Sequence, residues 1–81
     1  STMSNSRISV VLKNQPGSLG KITTVIAKNN GNISNINFTI RKNDFFEIII
    51  DIEVRDANHL KNSMAALRLV SEVSSLERIK G

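Results

Sequence analysis

The sequence predicts an α+β sandwich, in which four strands form one antiparallel sheet and two helices pack on one of its faces. Two observations indicate this fold class. The apolar residues change between period two, typical of a strand, and period 3.6, typical of a helix, in the order β-α-β-β-α-β. Polar turn residues separate most of these segments. A chain of 81 residues is long enough for one such domain and no more.

The first predicted strand, over residues 7–13, places alternate apolar side chains on one side: Ile8, Val10 and Leu12. Asn14-Gln15-Pro16-Gly17 follows as a turn signal. The spacing then becomes helical, with apolar residues at Leu19, Ile22, Val25 and Ile26. We expect a helix over about residues 18–29 that stops at Asn30-Gly31, because Asn and Gly tolerate the left-handed conformation of a helix C-terminus.

Residues 32–41 return to period two and predict a second strand. Its core side is expected to carry Ile36, Phe38 and Ile40. Its other side is expected to carry Asn35, Asn37, Thr39 and Arg41. Ile33 is out of phase with the apolar set, which indicates either a bulge at the start of the strand or a strand that begins only after Ile33. After a polar turn at residues 42–44, a third strand shows the cleanest alternation in the chain: Phe46, Ile48, Ile50, Ile52 and Val54.

Asp56 is the predicted cap of a second helix, over about residues 57–69. A final strand is predicted for residues 73–80, although its apolar residues lie three apart: Val73, Leu76 and Ile79. Right-handed crossovers then give the ferredoxin-like βαββαβ arrangement, with strand order 4-1-3-2 and the second strand on an edge. The domain is expected to span residues 7–80. Residues 1–6 are interpreted as a linker or a remnant of cloning.

The composition excludes several classes of function. The sequence has no cysteine, which excludes disulfides, cysteine zinc sites and thiol catalysis, and its single histidine is too few for a His-rich metal site. The net charge of +4 is mildly basic and gives weak support to an anionic partner. No apolar run approaches the roughly 20 residues of a membrane span. No signal peptide is visible. We therefore expect a cytoplasmic domain that needs no cofactor.

The loop that joins the first strand to the first helix is the leading candidate for a binding site. Free backbone N–H groups at a helix N-terminus attract a carboxylate or a phosphate, and Gly17 and Gly20 allow close approach. Asn14 can both donate and accept hydrogen bonds, as recognition of an amino acid's ammonium and carboxylate requires. A plain turn before a capped helix accounts for the same residues, so both interpretations stay open. Asn32 begins the edge strand, where the unpaired backbone offers a docking place for a second subunit.

Other functions have less support. The basic residues are scattered, and recognition of RNA on an open sheet face needs aromatic side chains, of which only Phe45 is expected there. His59, close to Asp56 in the second helix, is interpreted as a polar contact of that helix. Asp51 and Glu53 alternate with core residues and are interpreted as partners of cross-strand ion pairs. A small acylphosphatase-like enzyme would share the topology, but its first loop would need an arginine, which this loop lacks.

The sequence resembles the ACT domain family over almost its whole length. The resemblance depends on residues 11–19, on the junction Gly31-Asn32-Ile33 and on the β-α-β-β-α-β order. A narrower resemblance, to the C-terminal ACT domain of RelA/SpoT proteins, depends on Val54-Arg55-Asp56, on His59-Leu60 and on Leu76-Glu77-Arg78. Those proteins are GTP pyrophosphokinases that make and degrade (p)ppGpp in the stringent response.

The resemblance implies a regulatory module without chemistry of its own. ACT domains commonly pair side by side and bind a small ligand, often an amino acid, at the interface. The implied ligand-binding residues are Leu12, Asn14, Gln15, Pro16, Gly17, Ser18, Leu19, Asn32 and Ile33. Leu12 stands where some serine-binding members have histidine, which favours a more apolar ligand such as a branched-chain amino acid. The resemblance further implies a homodimer through the edge of the second strand, contact with other domains of a parent chain, and possible contact of that parent with the ribosome and tRNA. An ACT domain of a biosynthetic enzyme, or an RNA-contacting module with a vestigial pocket, remain alternatives.

Overall fold

The computed structural model describes residues 3–80, and its elements follow in the predicted order. They are β1 (Ser4–Lys13), α1 (Ser18–Lys28), β2 (Asn32–Arg41), β3 (Phe45–Val54), α2 (Ala57–Arg68) and β4 (Val73–Ile79). The strands form one antiparallel sheet in the order β2-β3-β1-β4, which is the predicted order read from the opposite edge. The ferredoxin-like arrangement is confirmed.

The core lies between the two helices and the central strands β1 and β3. Its fully buried strand residues are Ile8, Val10, Leu12, Ile48, Ile50 and Ile52. The helices add Ile22 and Ile26 from α1 and Leu60, Met64 and Leu67 from α2. Burial of an aliphatic side chain of this size contributes about 1.5–3 kcal/mol, so this cluster supplies the main driving force for folding.

Two bulges interrupt β2. Ile33 pairs with Ile52 and Asn35 with Asp51, so Ser34 is an extra residue. Of the two interpretations of the phase of Ile33, the bulge is therefore confirmed and a later start of the strand is wrong. The second bulge was not predicted.

The second bulge lies at Thr39, because Phe38 pairs with Ile48 while Ile40 already pairs with Glu47. Beyond this point the two sides of β2 are exchanged. Arg41 pairs with the core residue Phe46 and lies on the helix side of the sheet, whereas Ile40 lies on the open side. The predicted faces of Ile40 and Arg41 are therefore wrong.

A bulge also explains the spacing of three in β4. Leu12 pairs with Val73 and Val11 with Ser75, so Ser74 is the extra residue in that strand. Val73 and Leu76 consequently reach the same face, and Leu76 is buried.

The sheet begins earlier than the sequence pattern indicated. Strand β1 starts at Ser4, which pairs with Val54, and Asn5 and Ser6 continue the same ladder. The prediction that residues 1–6 are a linker is therefore wrong for residues 4–6, whereas residues 1 and 2 lie outside the described residues. Polar side chains conceal this extension, because apolar alternation begins only at Ile8.

Asp56 caps α2 as predicted, and its carboxylate accepts a hydrogen bond of 2.8 Å from the backbone N–H of His59. His59 itself is buried. Its Nδ1 accepts from the N–H of Arg55, so its Nε2 carries the proton and donates to the carbonyl of Asn29. The imidazole thus links the start of α2 to the end of α1, a longer-range contact than the polar contact within α2 that was predicted.

Candidate functional site

The loop between β1 and α1 is held by the β2–β3 turn. The backbone N–H of Asn14 donates to the carbonyl of Asp44 at 3.0 Å, and its Nδ2 donates to the carbonyl of Lys42 at 2.8 Å. Gly17 caps α1 with a φ of 85°, a left-handed conformation that favours glycine. Because this cap has no side chain, no side-chain acceptor serves the first N–H groups of the helix, although the N–H of Ser18 donates to the carbonyl of Gln15 at 3.2 Å.

A groove of about 250 Å³ lies between this loop and the end of β2, and we call it the β2-edge groove. It is lined by Asn14, Gln15, Gly17, Leu19, Gly20, Phe38, Arg41 and Phe46. The rings of Phe38 and Phe46 lie 5.5 Å apart between centroids. The guanidinium carbon of Arg41 lies 4.1 Å from the centroid of the Phe38 ring. The groove therefore combines an aromatic floor with a stacked cation.

The electrostatics of the β2-edge groove favour an anion. None of its lining residues is acidic, and no acidic residue occupies the first turn of α1. Within residues 3–80 the two ion pairs join Arg7 to Asp51 and Lys21 to Glu72, so neither involves Arg41. A carboxylate in the groove would find the Arg41 guanidinium and the positive end of the α1 dipole.

The structure brings some of the predicted ligand-binding residues together and separates the others. Asn14, Gln15, Gly17 and Leu19 line the β2-edge groove. Pro16 is exposed in the loop but does not line the groove. Ser18 is buried and does not line the groove either. Leu12 is fully buried in the core and does not line the groove.

Asn32 and Ile33 lie near the far end of α1 from the groove. The helix has 11 residues and is roughly 16 Å long at 1.5 Å per residue, so one chain cannot place these two residues in its own groove. In a single chain the Nδ2 of Asn32 instead donates to Glu53 at 2.7 Å.

Four lining residues were not among the predicted binding residues: Gly20, Phe38, Arg41 and Phe46. Both phenylalanines were expected in the core, and Phe46 is indeed buried, but Phe38 is 36% exposed. The position of Arg41 depends on the bulge at Thr39, for which the alternation of residues 36–40 contains no signal. For Gly20 the sequence predicts only that it allows close approach, and a Cβ at this position would meet nothing within 4 Å.

Glu72, just before β4, supports the loop from the side opposite the β2–β3 turn. Its buried carboxylate accepts hydrogen bonds from Lys21, Gln15 and Ser71, and its carbonyl accepts one from the N–H of Lys13. The bond from the Lys21 ammonium, followed by that from the Ser71 hydroxyl, lowers the pKa of Glu72 from 4.5 to about 2. The carboxylate therefore stays charged at neutral pH and keeps the loop in place.

Of the two carboxylates predicted as partners of cross-strand ion pairs, Glu53 accepts a hydrogen bond from the neutral Asn32 and forms no ion pair within residues 3–80, so its prediction is wrong. Asp51 accepts two hydrogen bonds from Arg7, the shorter of 2.7 Å, which confirms its interpretation as a cross-strand ion pair. The Arg7 guanidinium holds the pKa of this carboxyl below its usual range. Among residues 3–80, no three metal-ligating side chains come together. Neither helix is both long and apolar enough to cross a membrane.

Known proteins share this fold and much of this sequence. A family model described as ACT domain matches residues 2–78. The GTP pyrophosphokinase rsh of Brucella suis biovar 1 is 44% identical over 75 residues, which are 93% of this chain and 10% of that protein. The ACT domain from GTP pyrophosphokinase of Chlorobium tepidum is 31% identical with a TM-score of 0.81, and the match covers 96% of this chain and all of that one.

More distant structures share the fold alone. The small subunit of acetolactate synthase from Thermotoga maritima has a TM-score of 0.81 at 19% identity, over 95% of this chain and 48% of that one. The chain spans about a tenth of the length of the curated relatives that it matches. The family match and the 31% identical structure agree with the fold described above, and the chain belongs to the ACT domain family.

Proposed function

We propose that this ACT domain is a non-catalytic regulatory module of a GTP pyrophosphokinase of the RelA/SpoT type, which makes and degrades (p)ppGpp in the cytoplasm. The support is the 44% identity to the rsh protein and the 31% identity to another ACT domain of a GTP pyrophosphokinase. In this proposal the domain senses an amino acid and transmits the signal to other domains of the parent chain. A ligand can do so only if it binds two states of the parent with different affinities.

The separation of the two predicted halves of the binding site supports a paired form. Asn14 and its neighbours lie at one end of β2, and Asn32 and Ile33 lie at the other. If two copies align their β2 edges antiparallel, the start of one β2 reaches the end of its partner. Each groove then receives Asn32 and Ile33 from the other copy, and the free backbone of both edge strands becomes paired. The separation of the groove from Asn32 and Ile33 along β2 is the observation on which this pairing rests.

The groove chemistry favours a small amino acid with an apolar side chain. Leu19 and Phe38 offer apolar contact, and Asn14 retains a free amide oxygen because its Nδ2 is bonded to Lys42. That oxygen can accept a hydrogen bond from an ammonium group. We infer that branched-chain amino acids are the preferred ligands.

The test combines sedimentation with an NMR titration of the 81-residue chain against the twenty amino acids. We expect a dimer, with saturable shifts of Asn14, Gly17, Phe38 and Asn32 on addition of leucine, isoleucine or valine. Asn14→Ala should weaken binding while the circular dichroism spectrum stays native. A dimer that shows no shifts at millimolar ligand would contradict the sensor, and a monomer would contradict the pairing.

Gly20→Leu supplies an occlusion control. A side chain at this position meets open space, and replacement of a helical glycine lowers the entropic cost of folding, so stability should not decrease. The added leucine should occupy the groove and abolish amino-acid binding. Retained affinity in this folded variant would place the ligand elsewhere.

A second candidate function is contact with RNA, supported by Lys61, Arg68 and Arg78, which line one shallow groove between α2 and β4. None of them belongs to the two ion pairs found within residues 3–80. Salt separates the candidates, because RNA binding weakens steeply as salt rises through counterion release. Amino-acid binding in the β2-edge groove should change far less over the same range.

A further inference from the structure

We propose that Arg41 is the residue that binds the ligand carboxylate in the β2-edge groove and thereby restricts this site to ligands with a free carboxylate. The inference rests on the proposed function and adds a specificity residue to it. Neither the sequence resemblance nor the predicted ligand-binding residues included Arg41.

The backbone places Arg41 at the groove. Without the bulge at Thr39, strict alternation would place Arg41 on the open side of the sheet, opposite Phe38. The two residues are three apart in sequence, and the extra residue Thr39 brings both of them to the same side of the sheet. Arg41 then pairs with Phe46 across the ladder. The hydroxyl of Thr39 donates to the Glu47 carboxylate at 2.7 Å on the other side of the sheet, which holds the bulge.

The side chain of Arg41 is preorganised and has free donors. Its guanidinium lies over the Phe38 ring, a stacked geometry that restricts the orientation of the planar group. Arg41 donates no side-chain hydrogen bond and forms no ion pair within residues 3–80. A stacked guanidinium keeps its N–H edge available, and a carboxylate accepts two parallel hydrogen bonds from such an edge.

The surroundings leave the charge of Arg41 without compensation. The other lining residues are glycine, amide, aliphatic or aromatic, and the N-terminus of α1 adds positive potential from the same side. The arrangement therefore matches a ligand that brings one negative charge beside an apolar group. The carboxylate and side chain of an aliphatic amino acid have this form, whereas the corresponding amide lacks the charge.

The test is calorimetry of the 81-residue chain with L-leucine and with L-leucinamide. The variants are Arg41→Gln and Arg41→Lys, and the matched control is Lys42→Gln, which removes the adjacent cation outside the groove. Hydrogen bonds to a charged group justify an expected loss of roughly 10- to 100-fold in leucine affinity for Arg41→Gln. Arg41→Lys should recover only part of this loss, because an ammonium cannot form the two-pronged contact.

Leucinamide separates carboxylate recognition from general effects. The unchanged protein should bind leucinamide about as weakly as Arg41→Gln binds leucine. The Arg41→Gln variant should bind leucine and leucinamide with equal affinity. If leucine binds the unchanged protein and Arg41→Gln equally well, the role of Arg41 is overturned. The same holds if Lys42→Gln loses as much leucine affinity as Arg41→Gln. In both cases the proposed sensing of an amino acid still stands. If none of the twenty amino acids binds the unchanged dimer, the proposed function fails first. Because Arg41 is exposed, the variants should remain folded.

Discussion

Strands β2 and β3 are neighbours of equal length with similar apolar alternation, but they differ in burial. Each has ten residues. Every second side chain of β3 is buried, whereas none of β2 is. Strand β3 lies between two strands and below the helices, while β2 is an edge that two bulges distort. Apolar alternation therefore indicates which side of a strand faces the helices only where no bulge intervenes, and it does not indicate how completely that side is covered.

The difference is functional as well as structural. A covered strand serves stability, because its side chains are already in contact with the core. The exposed apolar side chains of β2, Phe38 at 36% on the helix side and Ile40 at 39% on the open side, are available to a second chain or a ligand. The following predictions test this division, from the largest expected effect to the smallest.

Aspartate substitutions at the paired positions Ile50 and Ile36 should give the largest difference in stability between the two strands. Ile50 is fully buried, so Ile50→Asp places an unpaired charge in the core and should unfold the chain. Ile36, its partner in β2, is only partly buried, and Ile36→Asp should leave a folded protein. Circular dichroism melts of both variants measure the effect, and equal loss of structure would contradict the contrast.

Alanine substitutions of the neighbouring rings Phe46 and Phe38 should show the same contrast in stability with a smaller effect. Phe46→Ala should cost about 3–5 kcal/mol of unfolding free energy, the usual range for a buried phenylalanine. Phe38→Ala should cost much less, since that ring is 36% exposed, but it should weaken amino-acid binding at the groove. Urea unfolding and calorimetry would measure the two properties separately. Tight binding by Phe38→Ala would assign this ring to packing alone.

His59→Ala tests what holds the start of β2. The change leaves the Arg55 N–H and the Asn29 carbonyl without their partner, which should cost about 1–3 kcal/mol. Hydrogen exchange should quicken at residues 29–33 more than along β3, because the imidazole ties down the turn before β2. The exposed Asn62, in the same helix, supplies the control variant Asn62→Ala. Uniform quickening across both strands would contradict a local role.

Acid should weaken the contribution of Glu72 to the loop beside the groove. The pKa of Glu72 is about 2 in the folded chain and 4.5 as a reference for the unfolded chain. Its stabilising contribution is therefore complete above about pH 4.5 and is lost as the pH falls toward 2. Urea unfolding across this window should show a shallower pH dependence for Glu72→Gln than for the unchanged chain.

The control for this measurement is Glu77→Gln, whose carboxylate forms no ion pair within residues 3–80. It should retain the pH dependence of the unchanged chain. If the slope of Glu72→Gln matches that of the control, the hydrogen bonds from Lys21 and Ser71 do not stabilise the fold.

The sequence by itself determined the order of the elements, the central strands and the cap at Asp56. Each of these depends on local properties, namely the period of the apolar residues and the hydrogen bond of one side chain to the next turn. The loop at Asn14 could be identified as a candidate site for the same reason, since its glycines and its place before a helix N-terminus are visible in the sequence.

Tertiary structure alone decided the bulges at Thr39 and Ser74, the extension of β1 to Ser4 and the exposure of β2. A bulge arises from the match between two strands, and a polar strand segment is held by the ladder of its neighbours instead of by its own side chains. The register of β2 against β3 therefore determines that Arg41 reaches the groove. The physical reason is that side-chain direction in a strand has period two, so one extra residue exchanges the two faces of everything beyond it.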